Sequence, residues 1–388
     1  MRPTRTRDGR RTPFFALLLS LLALLAPDLT LAPLQAGERS VEAPAPRLLE
    51  ELALPARSGI RAAARSGTPA DSRRYEAAVE ATRAAAGARG ISFAAVRDGQ
   101  LLWAGASSAR GDGPVIAPSS QLVIGSVTKT FVAAAILQLA EEGRLRLDDP
   151  AGQHLPPSAD PGAGITVAQL LDHTSGLADL FNETTRTGIE EHPERGWTPE
   201  EVLATLHPPW YAPGEGWAYA NTNYYLLGLI VERLGGAPLA DELHRRFLDP
   251  LGLEATSVLT GAAGSLLQPA WTTIFWASGA MSASAADLAR WGDALYGGAV
   301  LRPETLAAML RVNDHGYGYG VQRIEVGGVA GHGHTGLLHT DTTLLVHLPG
   351  DGLTIAVLAH RSDGDLAGAL TARPPDGGPT LLELARGQ

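Results

Sequence analysis

The chain has 388 residues, 45% hydrophobic and 19% charged, enough to bury a sizeable core in one large body or two intimate ones. Its lack of cysteine excludes thiol nucleophiles, thiolate zinc sites, iron–sulfur ligation and disulfide staples. A formal charge of -10 argues against a nucleic-acid partner, because phosphate binding needs a basic field.

Arg2, Arg5, Arg7, Arg10 and Arg11 precede an apolar run over 14–26, shorter than the roughly 18 residues that span a bilayer. With the small residues Ala32 and Ala36 beyond it, 1–36 reads as a secretory signal peptide, and the protein as secreted, periplasmic or held in the cell envelope. An uncleaved N-terminal anchor is the competing reading and would be its only membrane contact. Residues 37–72, rich in Ala, Pro, Arg and Ser, read as a disordered linker, which leaves 73–388 as the folded domain. A helix is predicted from Asp71 or Ser72 to about 86, then strands at 91–96 and 101–104 joined through Asp98-Gly99. Helices follow at 126–142, 199–206, 220–234, 284–296 and 303–311. Strands return at 318–326, 329–334, 340–347 and 353–360, and 381–386 reads as a closing helix. The simplest assembly is an α/β fold: an antiparallel sheet made by both chain ends and flanked by helices, with a large, mostly helical region inserted at about 120–310.

In Gly125-Ser126-Val127-Thr128-Lys129 a serine stands at a predicted helix start with a lysine three residues on, so the two share a face. A serine hydroxyl needs a neighbouring base, and a lysine amine with a depressed pKa can serve. Arginine cannot, because its guanidinium does not deprotonate. Of the 31 Lys and Arg side chains, Lys129 alone is lysine, and it falls where proton transfer would require one. Helix capping by Ser126 is the plainer reading, yet a cation in the first turn opposes the helix dipole.

Tyr219 and Asn221 lie two residues apart just before another predicted helix. A phenol can relay a proton beside an ammonium group, and an amide can orient the lysine and hold a substrate amide. Capping accounts for Asn221 but not for Tyr219. In Gly331-His332-Gly333-His334-Thr335-Gly336-Leu337 the glycines leave a strand edge against which substrate backbone could lie, with His334 as the polar handle. The His332-x-His334 spacing also raises a metal reading, but no acidic ligand follows at a recognisable spacing, and none is assigned.

Taken together and in this order, Ser126-x-x-Lys129, Tyr219-x-Asn221 and His334-Thr335-Gly336 resemble the serine β-lactamase and penicillin-binding superfamily. The likeness is to the branch with class C β-lactamases, D-alanyl-D-alanine carboxypeptidases, D-amino-acid peptidases and related esterases. It spans about 75–362 and includes Leu170-Leu171-Asp172-His173-Thr174-Ser175-Gly176-Leu177, read as structural, and Gly279-Ala280-Met281-Ser282. The resemblance implies an acyl-enzyme on Ser126, with Lys129 and Tyr219 sharing the base and acid roles and Asn221 orienting Lys129 and substrate. Backbone N–H groups of Ser126 and Leu337 would hold the oxyanion. His334, partly cationic near neutral pH, and Thr335 would face a substrate carboxylate. No cofactor is implied. The expected substrates are small molecules or peptides, cell-wall peptide among them, ranked as D-peptide first, ester second and β-lactam third. A sensor that acylates without turnover, or an anchored scaffold, are the readings of another class.

Overall fold

The computed structural model describes residues 69–110, 115–162, 164–262, 264–362 and 364–387. The signal-peptide reading and all of the linker up to 68 lie outside them. Residues 69–72 belong instead to the first helix, α1 (Pro69–Ala85), which starts two residues before Asp71.

Nine strands form two sheets among the described residues. The larger has the order β2-β1-β9-β8-β7-β6, all neighbours antiparallel: β1 is Gly90–Arg97, β2 Gln100–Ser108, β6 Gln322–Val326, β7 Val329–Leu338, β8 Asp341–Leu348 and β9 Leu353–His360. Both parts of the chain meet where β1 pairs with β9, from Gly90↔His360 to Arg97↔Leu353. Asp98 and Gly99 make the tight turn between β1 and β2 with φ of 50° and 76°, the positive angles that two-residue hairpins favour.

Strand alternation divides the core. Ile91, Phe93 and Ala95 of β1 face one way, toward α1 and the closing helix α6 (Leu381–Arg386). Ala94 and Val96 face the other, toward the helical region. That region is built around α2 (Thr128–Glu141), whose side chains are buried on nearly every side. An apolar, alanine-rich helix of this kind belongs at the centre of a domain. It ends at Gly143, φ 71°, where Gly143 N–H bonds Ala140 O and Arg144 N–H bonds Leu139 O. Against it pack α3 (Asn221–Gly235) and α4 (Pro269–Gly279), while α5 (Ala285–Tyr296) lies on the large sheet and reaches α2 through Trp291. Trp291 of α5, fully buried, stacks on Phe131 at 4.0 Å and donates to Thr130 Oγ1 at 2.8 Å. Burying a Leu or Phe side chain is worth about 1.5–3 kcal/mol, and the larger Trp291 surface adds to that.

The second sheet, β3-β5-β4, is small: β3 is Leu122–Val123, β4 Thr256–Val258 and β5 Met281–Ala283. It fixes the turn that leads into α2, because Ile124 N–H bonds Met281 O, while Val123 N–H bonds the Asp341 carboxylate of β8 at 2.9 Å.

Candidate active site

Ser126 sits in a 3-10 turn, Gly125–Val127, at the entrance to α2. The α2 N-cap is Val127, without a side-chain cap bond, so capping does not account for Ser126. Its Oγ lies 3.0 Å from Lys129 Nζ. Two glycines bring this turn against β7. A Cβ on Gly336 would stand 2.0 Å from Ile124 O, and one on Gly125, φ 51°, would stand 2.7 Å from Leu337 N. Side chains at either position would push the Ser126 turn off the strand, and with it the backbone of Ser126 away from that of Leu337.

Lys129 is fully buried, and three acceptors surround its Nζ: Ser126 Oγ, Asn221 Oδ1 at 2.8 Å and Ser278 O at 2.7 Å. Burial lowers its pKa to about 7, while the Asp179 carboxylate pulls the other way. Near neutral pH the amine is therefore present in both forms, and the neutral form can accept the Ser126 proton over that distance.

Tyr219 presents its ring to Lys129 Nζ, 4.9 Å from the centroid, an arrangement that favours the charged amine. Its own hydroxyl is enclosed. Ser126 is near enough to ease phenol ionisation, but among the described residues no partner meets full hydrogen-bond geometry, and burial drives the phenol pKa far up. The loop at 173 holds Tyr219 from both flanks: Ala218 N–H bonds His173 O, and Ala220 N–H bonds His173 Nδ1. His173 is buried with φ of 65°, and its ring lies 4.3 Å from that of Tyr219. It is held uncharged by burial and by Lys129.

Asn221 opens α3, but the N-cap is Ala220 and no side chain caps the helix, so the capping explanation fails here too. Its amide joins two groups instead: Oδ1 accepts from Lys129, and Nδ2 donates to Asp179 at 3.1 and 3.3 Å. Asp179, whose carboxyl is pushed up by burial, also accepts from Phe181 N–H.

The sheet side departs from expectation. His334 is buried, with Nδ1 2.6 Å from Thr335 O and Nε2 3.0 Å from the Tyr317 hydroxyl. A carbonyl only accepts, so Nδ1 carries the proton and Nε2 accepts from Tyr317. Burial and Lys129 lower the imidazole to about 3. The partly cationic handle expected at His334 is thus a neutral, fully engaged ring, because its surroundings exclude water and already hold one cation. Thr335 is engaged as well: its N–H and Oγ1 both donate to Gln322 Oε1 at 3.0 Å.

The structure brings together Ser126, Lys129, Tyr219, Asn221, His334, Thr335, Gly336 and Leu337. It adds Asp179, Ser278, Tyr317 and Gln322, which sequence reasoning missed. Asp179 follows the Leu170 to Leu177 run by two residues, the only linear hint of it. Among the described residues no cluster of His, Asp or Glu suits a metal ion, and no helix is long and apolar enough to cross a membrane.

Residues 75–373 match the Beta-lactamase family, and the chain belongs to it: it is a serine hydrolase of the β-lactamase and penicillin-binding superfamily. Penicillin-binding protein 4 of Amycolatopsis lactamdurans is 28% identical over 339 residues, 75% of this chain and 86% of that relative. A D-stereospecific amidohydrolase from a Streptomyces species superposes with a TM-score of 0.65 at 29% identity, covering 78% of this chain and 98% of its own. The octameric penicillin-binding protein homologue of Pyrococcus abyssi, at 24% identity and TM-score 0.63, shares the fold; the match covers 82% of this chain and 78% of that one.

Proposed function

We propose that the protein hydrolyses amide or ester bonds next to D-amino acids through an acyl-enzyme on Ser126. The observation that carries this reading is the buried Lys129 amine 3.0 Å from Ser126 Oγ, with a pKa brought to about 7. Neutral Lys129 takes the serine proton as Oγ attacks the carbonyl carbon, and the new charge on the substrate oxygen is held by the N–H groups of Ser126 and Leu337. Lys129 then holds that proton above the Tyr219 ring until the leaving amine or alcohol takes it. Tyr219 acts as a neutral phenol that passes the proton on, because its burial opposes a phenolate. Lys129 is accordingly the base, and Asn221 keeps it aimed at Ser126. Water then attacks the ester carbonyl by the reverse proton path and frees the acid.

The D-amino-acid preference draws on the similarity to a D-stereospecific amidohydrolase. Similarity to a penicillin-binding protein supports a second reading, in which a β-lactam acylates Ser126 and stays. Export, with a cell-wall peptide as substrate, completes the proposal and draws on the arginines and apolar run of 1–36.

Intact mass over time, with D- and L-aminoacyl amides and a penicillin, tests these readings beside Ser126→Ala. D-selective product release that needs Ser126 is the expected result. A lasting penicillin adduct without amide turnover favours the second reading, and activity unchanged in Ser126→Ala overturns both.

A further inference from the structure

Strand β6 pairs with β7 from Val326↔Val329 up to Gln322↔Gly333 and stops there, while β7 continues to Leu338 with β8 on its other side. Among the described residues the edge of β7 past Gly333 therefore has no strand paired to it. Thr335 points its N–H to that edge, where Gln322 Oε1 receives it at 3.0 Å. Alternation sends the Leu337 N–H to the same edge, beside the nucleophile turn. The side chain of Gln322 thus extends β6 by one rung, stopping one rung short of Ser126.

Three features give this rung its chemistry. Gln322 Oε1 must be the oxygen, since a backbone N–H can only donate, so its NH2 is left as a neutral donor without a partner among the described residues. Thr335 Oγ1 is spent on the same oxygen. His334 has both ring nitrogens engaged, by Thr335 O and the Tyr317 hydroxyl. A substrate end laid here meets a neutral amide, and none of Gln322, Thr335 and His334 supplies a cation to balance a carboxylate.

We propose that Gln322 is a specificity-determining residue: it closes the slot beside β6 and selects substrates whose end there is short and uncharged, an amide or ester carbonyl over a free carboxylate. This deepens, and rests on, the acyl-transfer reading of Ser126. It also reverses the order expected from sequence, placing amidase or esterase activity ahead of carboxypeptidase activity.

The test compares N-acetyl-D-alanyl-D-alaninamide with N-acetyl-D-alanyl-D-alanine, which differ only in that terminal charge, on the full-length protein and on Gln322→Lys and Gln322→Ala. The ratio is read as kcat/KM or, for a peptide that is not turned over, as its inhibition constant against hydrolysis of p-nitrophenyl acetate. The wild type is expected to favour the carboxamide by about tenfold. Gln322→Lys, which sets an ammonium on the rung, turns the preference toward the carboxylate, and Gln322→Ala brings the ratio toward one. A wild-type ratio of one or less overturns the proposal, as does a ratio unchanged in both variants. Acylation of Ser126 by the ester, followed by intact mass, separates the two levels: without it the acyl-transfer reading falls and takes this proposal with it, and with it a flat ratio sinks this proposal alone.

Discussion

On the helical side of Ser126 the polar chain runs through Lys129 and Asn221 to the Asp179 carboxylate, while on the sheet side it runs through Thr335 to Gln322 and through His334 to Tyr317, all uncharged. Both walls are enclosed, and burial acts on both. On the first wall it leaves a lysine poised between its two forms, because a carboxylate nearby offsets part of the desolvation. On the second it neutralises a histidine outright, because the nearby charge is the same lysine and has the same sign. Charge is thus retained on the wall of the proposed base and removed on the wall where we place the substrate end.

The sharpest way to break this contrast is Lys129→Arg. It keeps a cation but removes the base, and acylation of Ser126 should fall by about a thousandfold or more in a stopped-flow or mass assay. Near-normal acylation would mean that proton transfer does not run through Lys129. In the native protein, kcat/KM should rise with pH through about 7 as Lys129 loses its proton. Next in size is Gly336→Ala, whose Cβ would meet the Ile124 carbonyl. We expect kcat to drop by roughly a hundredfold, with a stability loss of about 1–3 kcal/mol by chemical denaturation.

Asp179→Asn sharpens the electrostatic half of the comparison. Its negative charge raises the Lys129 pKa, so removing it lowers that pKa and moves the acid limb of the kcat/KM profile to lower pH. Loss of the Asn221 anchor should cost roughly tenfold at the plateau. A limb that stays in place would show that the carboxylate acts only as a support. Smallest in activity is Tyr317→Phe, which leaves His334 Nε2 buried without its donor. The expected cost is about 1–3 kcal/mol of stability, seen as a lower melting temperature. Because His334 is already neutral, activity should show no new titration near pH 6.

Local spacing made the helical wall readable. Ser126 and Lys129 are one helical turn apart, and Tyr219 and Asn221 flank a helix start, so their meeting needs little knowledge of tertiary structure. Asp179 was not readable, because only the packing of its loop against the start of α3 brings it to Asn221. Ser278 acts through a backbone carbonyl, which every residue has, in a helix that carries no polar stripe to announce it. The kink at Trp276, φ 24°, sits just before that carbonyl. The charge of His334 was misread for a related reason, since sequence shows an imidazole but not the burial that empties it of charge. The hairpin, the late strands and the central helix followed the periodicities that govern them. The short strands β3, β4 and β5 were too brief to show any.

The pairing of β1 with β9 has a consequence for how the enzyme is made. The turn that carries Ser126 is synthesised about two hundred residues before the strand it leans on, and β9, which closes the sheet over β1, comes later still. Few local contacts can stand in for these, and closure of so long a loop is slow. Until β7 is made, the Ser126 turn lacks the strand that Gly125 and Gly336 fit it against, so the site depends on contacts between distant parts of the chain.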